Sequence, residues 1–244
     1  MRLSNIFEST TPKHAAFCFG RMNPPTVGHG QLINTVAQAS QGGDYFVFVS
    51  QTQDKKKNPL DYATKVKFVR ALFPEQANHV VYDPSIKTIM DVIHWLYANG
   101  YKSITMVAGS DRIGSFQELL PKYNGVEGAN GAYYKFDDIK FVSSGERDPD
   151  ADGIAGVSAS SAREAAANSD LETFAQATGA GKLAEPLYQA VRKGMMLTDL
   201  ELAECSGYIP KNKKEAKDPR WSNSLTVDIK PGAINKNLKA LRLI

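Results

Sequence analysis

Cysteine is almost absent from this chain, with two in 244 residues, Cys18 and Cys205. Cys18 sits inside a short apolar stretch and Cys205 far downstream, so neither a disulfide framework nor a cysteine metal centre is indicated, and no metal-ligating residue is expected. Long apolar runs are missing as well. No stretch approaches the roughly 20 residues that span a bilayer, and the first 20 residues carry charges without a hydrophobic block. A membrane function is therefore excluded, and the chain is expected in the cytoplasm. An overall excess of one charge sign is also lacking, because the net charge is only +3. That small number hides an asymmetry: residues 208–244 hold nine Lys or Arg against three acids, while residues 1–207 hold 20 against 23. The basic end is a separate physical object. It contains Lys211-Asn212-Lys213-Lys214, a cluster suited to nucleic acid or an acidic protein surface, and apolar anchors at Trp221, Leu225, Val227, Ile229, Ile234, Leu238 and Leu241.

What is present begins with a strand, a turn and a helix. Ala15-Ala16-Phe17-Cys18-Phe19 is short, aromatic and apolar, as a buried parallel strand should be, and Leu32, Ile33, Val36 and Ala37 keep helical spacing. Between them lies Gly20-Arg21-Met22-Asn23-Pro24-Pro25-Thr26-Val27-Gly28-His29. A helix starting at the carboxyl end of a central strand offers unpaired N–H groups and a positive dipole end to an anion. Gly28 lets a ligand approach the main chain, and His29 lies in the first turn facing the same space.

Further along, strands are expected near 14–20, 44–50, 79–82, 102–108 and 139–143. Helices are expected near 29–39, 61–72, 87–99, 112–120, 159–167, 170–177 and 184–193. This alternation predicts an α/β fold, a Rossmann-like open parallel sheet with helices on both faces, plus a basic C-terminal extension. The domain boundary is placed between 1–194 and 195–244. All the polar turns then fall at the carboxyl edge of the sheet, where open α/β sheets bind ligands.

The element Thr26-x-Gly28-His29 resembles the (H/T)xGH signature of the nucleotidylyltransferase branch of the HIGH superfamily. Val157-Ser158-Ala159-Ser160-Ser161-Ala162-Arg163 resembles its second signature, ISSTxxR, with Val, Ala and Ser at 157, 159 and 160 as small departures. Lys57-Asn58-Pro59-Leu60 is similar to the Asn-Pro loop of the adenylyltransferases in this group, and Gly109-Ser110-Asp111 to their Gly-x-Asp element. The resemblance covers about residues 14–193. Gly20-Arg21 and Asn58-Pro59 look closest to nicotinamide-mononucleotide (NMN) adenylyltransferases, with phosphopantetheine adenylyltransferases second, and the opening is similar to phage-encoded nucleotidyltransferases.

The resemblance implies transfer of AMP from ATP onto a phosphate-bearing acceptor, NMN foremost, with release of pyrophosphate. It implies roles for His29 and Arg163 on the phosphates and a hydroxyl contact from Thr26. Gly20, Arg21, Gly28, Lys57, Asn58, Asp111, Ser158 and Ser160 are expected to bind the nucleotide and acceptor, with Mg²⁺ carried largely on the triphosphate. The acceptor phosphate is itself an anionic nucleophile, so alignment and charge neutralisation matter more than a general base.

Two other classes stay open: a CTP-dependent cytidylyltransferase, and a non-catalytic module of this fold in a phage or other assembly, with virion association in that case. Cytidylyltransferase motifs of the GTFDxxHxGH and RTxGISTT types are missing, as is a KMSKS-like segment. Whether the chain forms homo-oligomers is not decided by the sequence. Two partial motifs fail on inspection. Asp148 to Gly153 begins like a calcium loop, yet its twelfth position is Ala159, and Gly179-Ala180-Gly181-Lys182 ends in Leu183 where a P-loop needs Ser or Thr.

Overall fold

The computed structural model describes residues 12–128, 131–145 and 158–196. Val157, the Asp148 to Gly153 segment, Cys205 and nearly all of the 195–244 extension lie outside the described residues. Four strands form one parallel sheet in the order β2-β1-β3-β4: β1 (His14–Gly20), β2 (Asp44–Val49), β3 (Ser103–Ala108) and β4 (Asp138–Ser143). The chain turns outward from β1 to β2 on one side and from β3 to β4 on the other. The strand order therefore reverses between β1 and β3, and a crevice opens at their carboxyl ends.

Period-two alternation divides the sheet's side chains between two layers of helices. Ala15, Phe17, Phe48, Ile104 and Met106 face α3 (Ile89–Ala98) and α4 (Ser110–Lys122), packing on Val92, Ile93, Leu96, Phe116 and Leu120. Ala16, Cys18, Val47, Val49 and Val107 face α1 (Val27–Ala39) and α2 (Tyr62–Leu72), meeting Ile33, Val36, Val66 and Val69. Both faces of the sheet are covered, which is why β1 reads as an unbroken apolar run rather than as an alternating one. Burial also holds the Cys18 thiol up at about 12, leaving it inert.

The expected strand at 79–82 is not one. Pro74–His79 forms a 3₁₀ helix, and the ladder to β2 is a single parallel bridge between Val80 and Val47, with Val81 N–H donating to the Val47 carbonyl. Pro74 and Pro84 bracket the segment and leave it too short to extend a ladder.

A third apolar cluster joins α5 (Ala159–Ala167), α6 (Leu171–Thr178) and α7 (Ala184–Met195) to Leu60 and Phe68. Ala162, Ala165 and Ala166 are small enough to let α6 approach α5 closely. At Gly194 a methyl group would overlap the Pro59 carbonyl, so α7 lies against the Asn58-Pro59 loop only because that position has no side chain. The C-terminal helices thus brace a loop that reaches the crevice. No helix among the described residues is long and apolar enough to cross a membrane.

Candidate active site

One cleft at the carboxyl ends of β1 and β3 is lined by Gly20, Arg21, Gly28, His29, Lys57, Asp111, Ser158, Ser160 and Arg163. Nine of the residues singled out in the sequence therefore share one space, contributed by four separate stretches of chain. Two others do not line it. Thr26 is 2% exposed and lies behind His29, and Asn58 is 4% exposed at the base of the lysine loop.

Thr26 is the N-cap of α1, and its backbone N–H donates to His29 Nδ1 at 3.0 Å, with its hydroxyl 2.8 Å from the same nitrogen. A backbone N–H can only donate, so Nδ1 is an acceptor and the neutral ring carries its hydrogen on Nε2. The turn thus fixes both the orientation and the tautomer of the imidazole. His29 lines the cleft with its ring held by Thr26.

The second motif folds as a capping box at the start of α5. Ser161 N–H donates to Ser158 Oγ at 3.0 Å, and Ser158 N–H donates to Ser161 Oγ at 3.1 Å. One turn further on, Arg163 points back, donating from Nη1 to the Asn23 carbonyl at 2.7 Å and from Nη2 to Ser160 Oγ at 3.0 Å. Burial and the nearby Arg21 guanidinium disfavour its charged form, and Asp54 offsets this only in part. An arginine remains charged in proteins, so the site holds a half-buried cation beside a like charge. A polyanion relieves both penalties.

Among the described residues, the cleft is lined by four cationic side chains, Arg21, Lys57, Arg112 and Arg163, and one carboxylate, Asp111. None of the four takes part in either ion pair found among the described residues. Asp111 is not the cap of α4, as Gly109 holds that position and Asp111 lies in the first turn. No group of three metal-ligating side chains occurs among the described residues. A Mg²⁺ that kept water or ligand oxygens as most of its ligands would fit this donor set, in which Asp111 is the carboxylate among the described residues of the cleft.

The lysine loop is built more tightly than its charge run suggests. Asp54 and Asn58 form an antiparallel bridge, and the Asp54 carboxylate accepts from Lys56 N–H, Lys57 N–H and Asn58 Nδ2. These bonds, the Lys57 N–H first, hold its carboxyl down at about 2. Ser50 Oγ and Asn58 Oδ1 are buried without a hydrogen-bond partner among the described residues, both in the segment joining β2 to α2.

Lys65 is fully buried and donates from Nζ to the carbonyls of Ser50 at 2.5 Å and Thr52 at 3.0 Å, anchoring the start of this segment. Burial pulls its ammonium down from 10.5 to about 8, and Asp61 opposes this weakly. Between those pH values the unfolded chain binds the proton and the folded one does not, so this group makes stability rise with pH. We predict that wild type gains roughly 3 kcal/mol relative to Lys65→Met from pH 8 to pH 10.5, by about 1.4 kcal/mol per unit. Urea melts across that range check it; a pH-independent difference would remove the shifted lysine.

Sequence reading missed Asn23, Asp54 and Lys65. A signal for Lys65 was available, since it lies on the apolar face of α2 beside Val66, Phe68 and Val69. The remaining histidines are structural: His14 bonds Ser103, His79 stacks on Tyr45, and His94 meets the Tyr134 ring edgewise.

No family model matches the chain, and no curated protein does. Among solved structures, it is similar to a candidate nicotinate-nucleotide adenylyltransferase from Vibrio parahaemolyticus, with 18% identity, TM-score 0.44, 71% of this chain and 99% of that one covered. It is also similar to a bifunctional NMN adenylyltransferase/ADP-ribose pyrophosphatase from Francisella tularensis, with 13% identity, TM-score 0.49 and 83% of this chain covered. The chain spans 59% of that bifunctional protein's length. At such identities and scores the likeness assigns neither substrate nor reaction to this chain.

Proposed function

We propose that this protein is a nucleotidyltransferase that moves AMP from ATP onto the phosphate of an acceptor, NMN foremost, and releases pyrophosphate. The observation that carries this reading is the meeting of His29 and Arg163, from turns 134 positions apart in the chain, in one cationic cleft at the strand-order reversal.

The chemistry follows from the donors. An acceptor phosphate oxygen forms the new bond to the α-phosphorus, and the bond from that phosphorus to the bridging oxygen of the β-phosphate breaks. His29 Nε2–H would donate to the α-phosphate as charge builds on its non-bridging oxygens. Arg163 would hold the β and γ phosphates, and its planar fork suits two oxygens at once. Lys57 and Arg21, at the cleft rim, would align the acceptor's phosphate against the first. Mg²⁺ bound to the triphosphate would shield charge so that two anions can approach.

Incubation with ATP, Mg²⁺ and NMN, followed for pyrophosphate, tests the reading. Release with ATP and NMN is expected. Release with CTP alone supports a cytidylyltransferase, and failure to bind any nucleoside triphosphate makes the fold a non-catalytic module.

A further inference from the structure

We propose that Asn23 is a positioning residue of this site, holding the lysine loop with its side chain and Arg163 with its main chain, so that the cationic walls of the cleft keep a fixed spacing. This inference rests on the transferase reading above.

Asn23 is 1% exposed. Its Oδ1 accepts from Leu60 N–H at 3.0 Å, and its Nδ2 donates to the Leu60 carbonyl at 3.1 Å. These two bonds copy what one strand residue offers its neighbour in a sheet, but they are made by a side chain across 37 positions of sequence. The Asn23 main-chain carbonyl in turn accepts from Arg163 Nη1, 140 positions away. One residue therefore ties the first motif to the second and to the loop carrying Lys57.

The amide is required for this, because it presents a donor and an acceptor side by side. Aspartate has the same shape but sets a carboxylate oxygen against the Leu60 carbonyl, and alanine offers neither bond. The backbone beside it is under tension: Met22 takes φ +44°, a left-handed conformation that costs about 1 kcal/mol for a residue with a side chain. Its fully buried side chain and the Asn23 clamp hold that turn in place. Its Oδ1 and Nδ2 each bond Leu60, so the side chain is placed to act through the loop and its main chain through Arg163.

A double-mutant cycle tests this. Pyrophosphate release and ATP affinity are measured for wild type, Asn23→Ala, Asn23→Asp, Arg163→Ala and both Asn23 variants combined with Arg163→Ala. Each Asn23 substitution is expected to lower kcat/KM for ATP about tenfold when Arg163 is present and by a clearly smaller factor in the Arg163→Ala background, where only the loop route remains, whereas its effect on the melting temperature is the same in both backgrounds. Equal losses of kcat/KM in both backgrounds, no loss at all, or failure of both single variants to fold overturns the proposal. An Arg163→Ala variant as active as wild type instead removes the transferase assignment on which it rests.

Discussion

Replacing His29 by alanine is expected to lower turnover by about 10²–10³, the cost of removing one preorganised donor from a developing charge. The expectation is specific because the imidazole is already set before substrate arrives. Thr26 occupies Nδ1 through an obligate donor, and the ring's remaining nitrogen is a donor on a group that lines the cleft. On the proposed function, a ring held in one orientation by Thr26 would stabilise the transition state with little reorganisation. The loss should therefore appear in kcat, with ATP affinity changed much less, since the charge at the α-phosphorus develops mainly in the transition state. His29→Gln, which keeps an N–H donor on a different frame, should recover only part of the rate. Steady-state pyrophosphate release and calorimetric ATP binding separate the two effects. Unchanged turnover in His29→Ala removes the imidazole from the mechanism.

The second large effect is expected at Arg163. On the proposed function its removal would delete two charge-assisted contacts to the leaving pyrophosphate, each worth about 1.5–3 kcal/mol, so kcat/KM for ATP should fall by about 10³. Part of this should show as weaker ATP binding, because the β and γ phosphates are charged in the ground state too. Arg163→Lys keeps the charge and loses the planar fork that now spans the Asn23 carbonyl and Ser160 Oγ, so it should retain only a minor share of the activity. The salt dependence of ATP binding should also weaken in Arg163→Ala, since one fewer cation meets the polyphosphate. A variant that binds ATP as wild type does, and with the same salt dependence, contradicts the role given to this residue.

Much of the architecture could be read from the chain because its signals are local. The apolar run at 15–19 and the helical spacing after Gly28 required no knowledge of distant partners, and the strands β1 to β4 fall within a residue or two of their expected limits. The segment at 79–82 misled because a short apolar pair, Val80-Val81, looks like a strand whether it makes a ladder or one bridge. The cleft residues were found mainly through the resemblance of their motifs, which stand at turns where strands or irregular segments enter helices. The bracing beneath them could not be found this way. Asn23 meets Leu60 and Arg163 across 37 and 140 positions, and Lys65 meets Ser50 and Thr52 through a main chain whose sequence is irrelevant to the contact. Side-chain bonds to distant backbone leave no pattern in the accepting partner's identity, and Lys65 shows itself only by its place on an apolar helix face. Thr26 shows the same limit at short range: its position in the motif is visible, whereas its use as the partner of His29 emerges only from the fold.

A crystal structure with α,β-methylene-ATP and Mg²⁺ is the most direct measurement. The account predicts the β and γ phosphates against Arg163 and His29 Nε2 about 3 Å from an α-phosphate oxygen. A triphosphate bound outside the cleft, or within it but touching neither side chain, would contradict it.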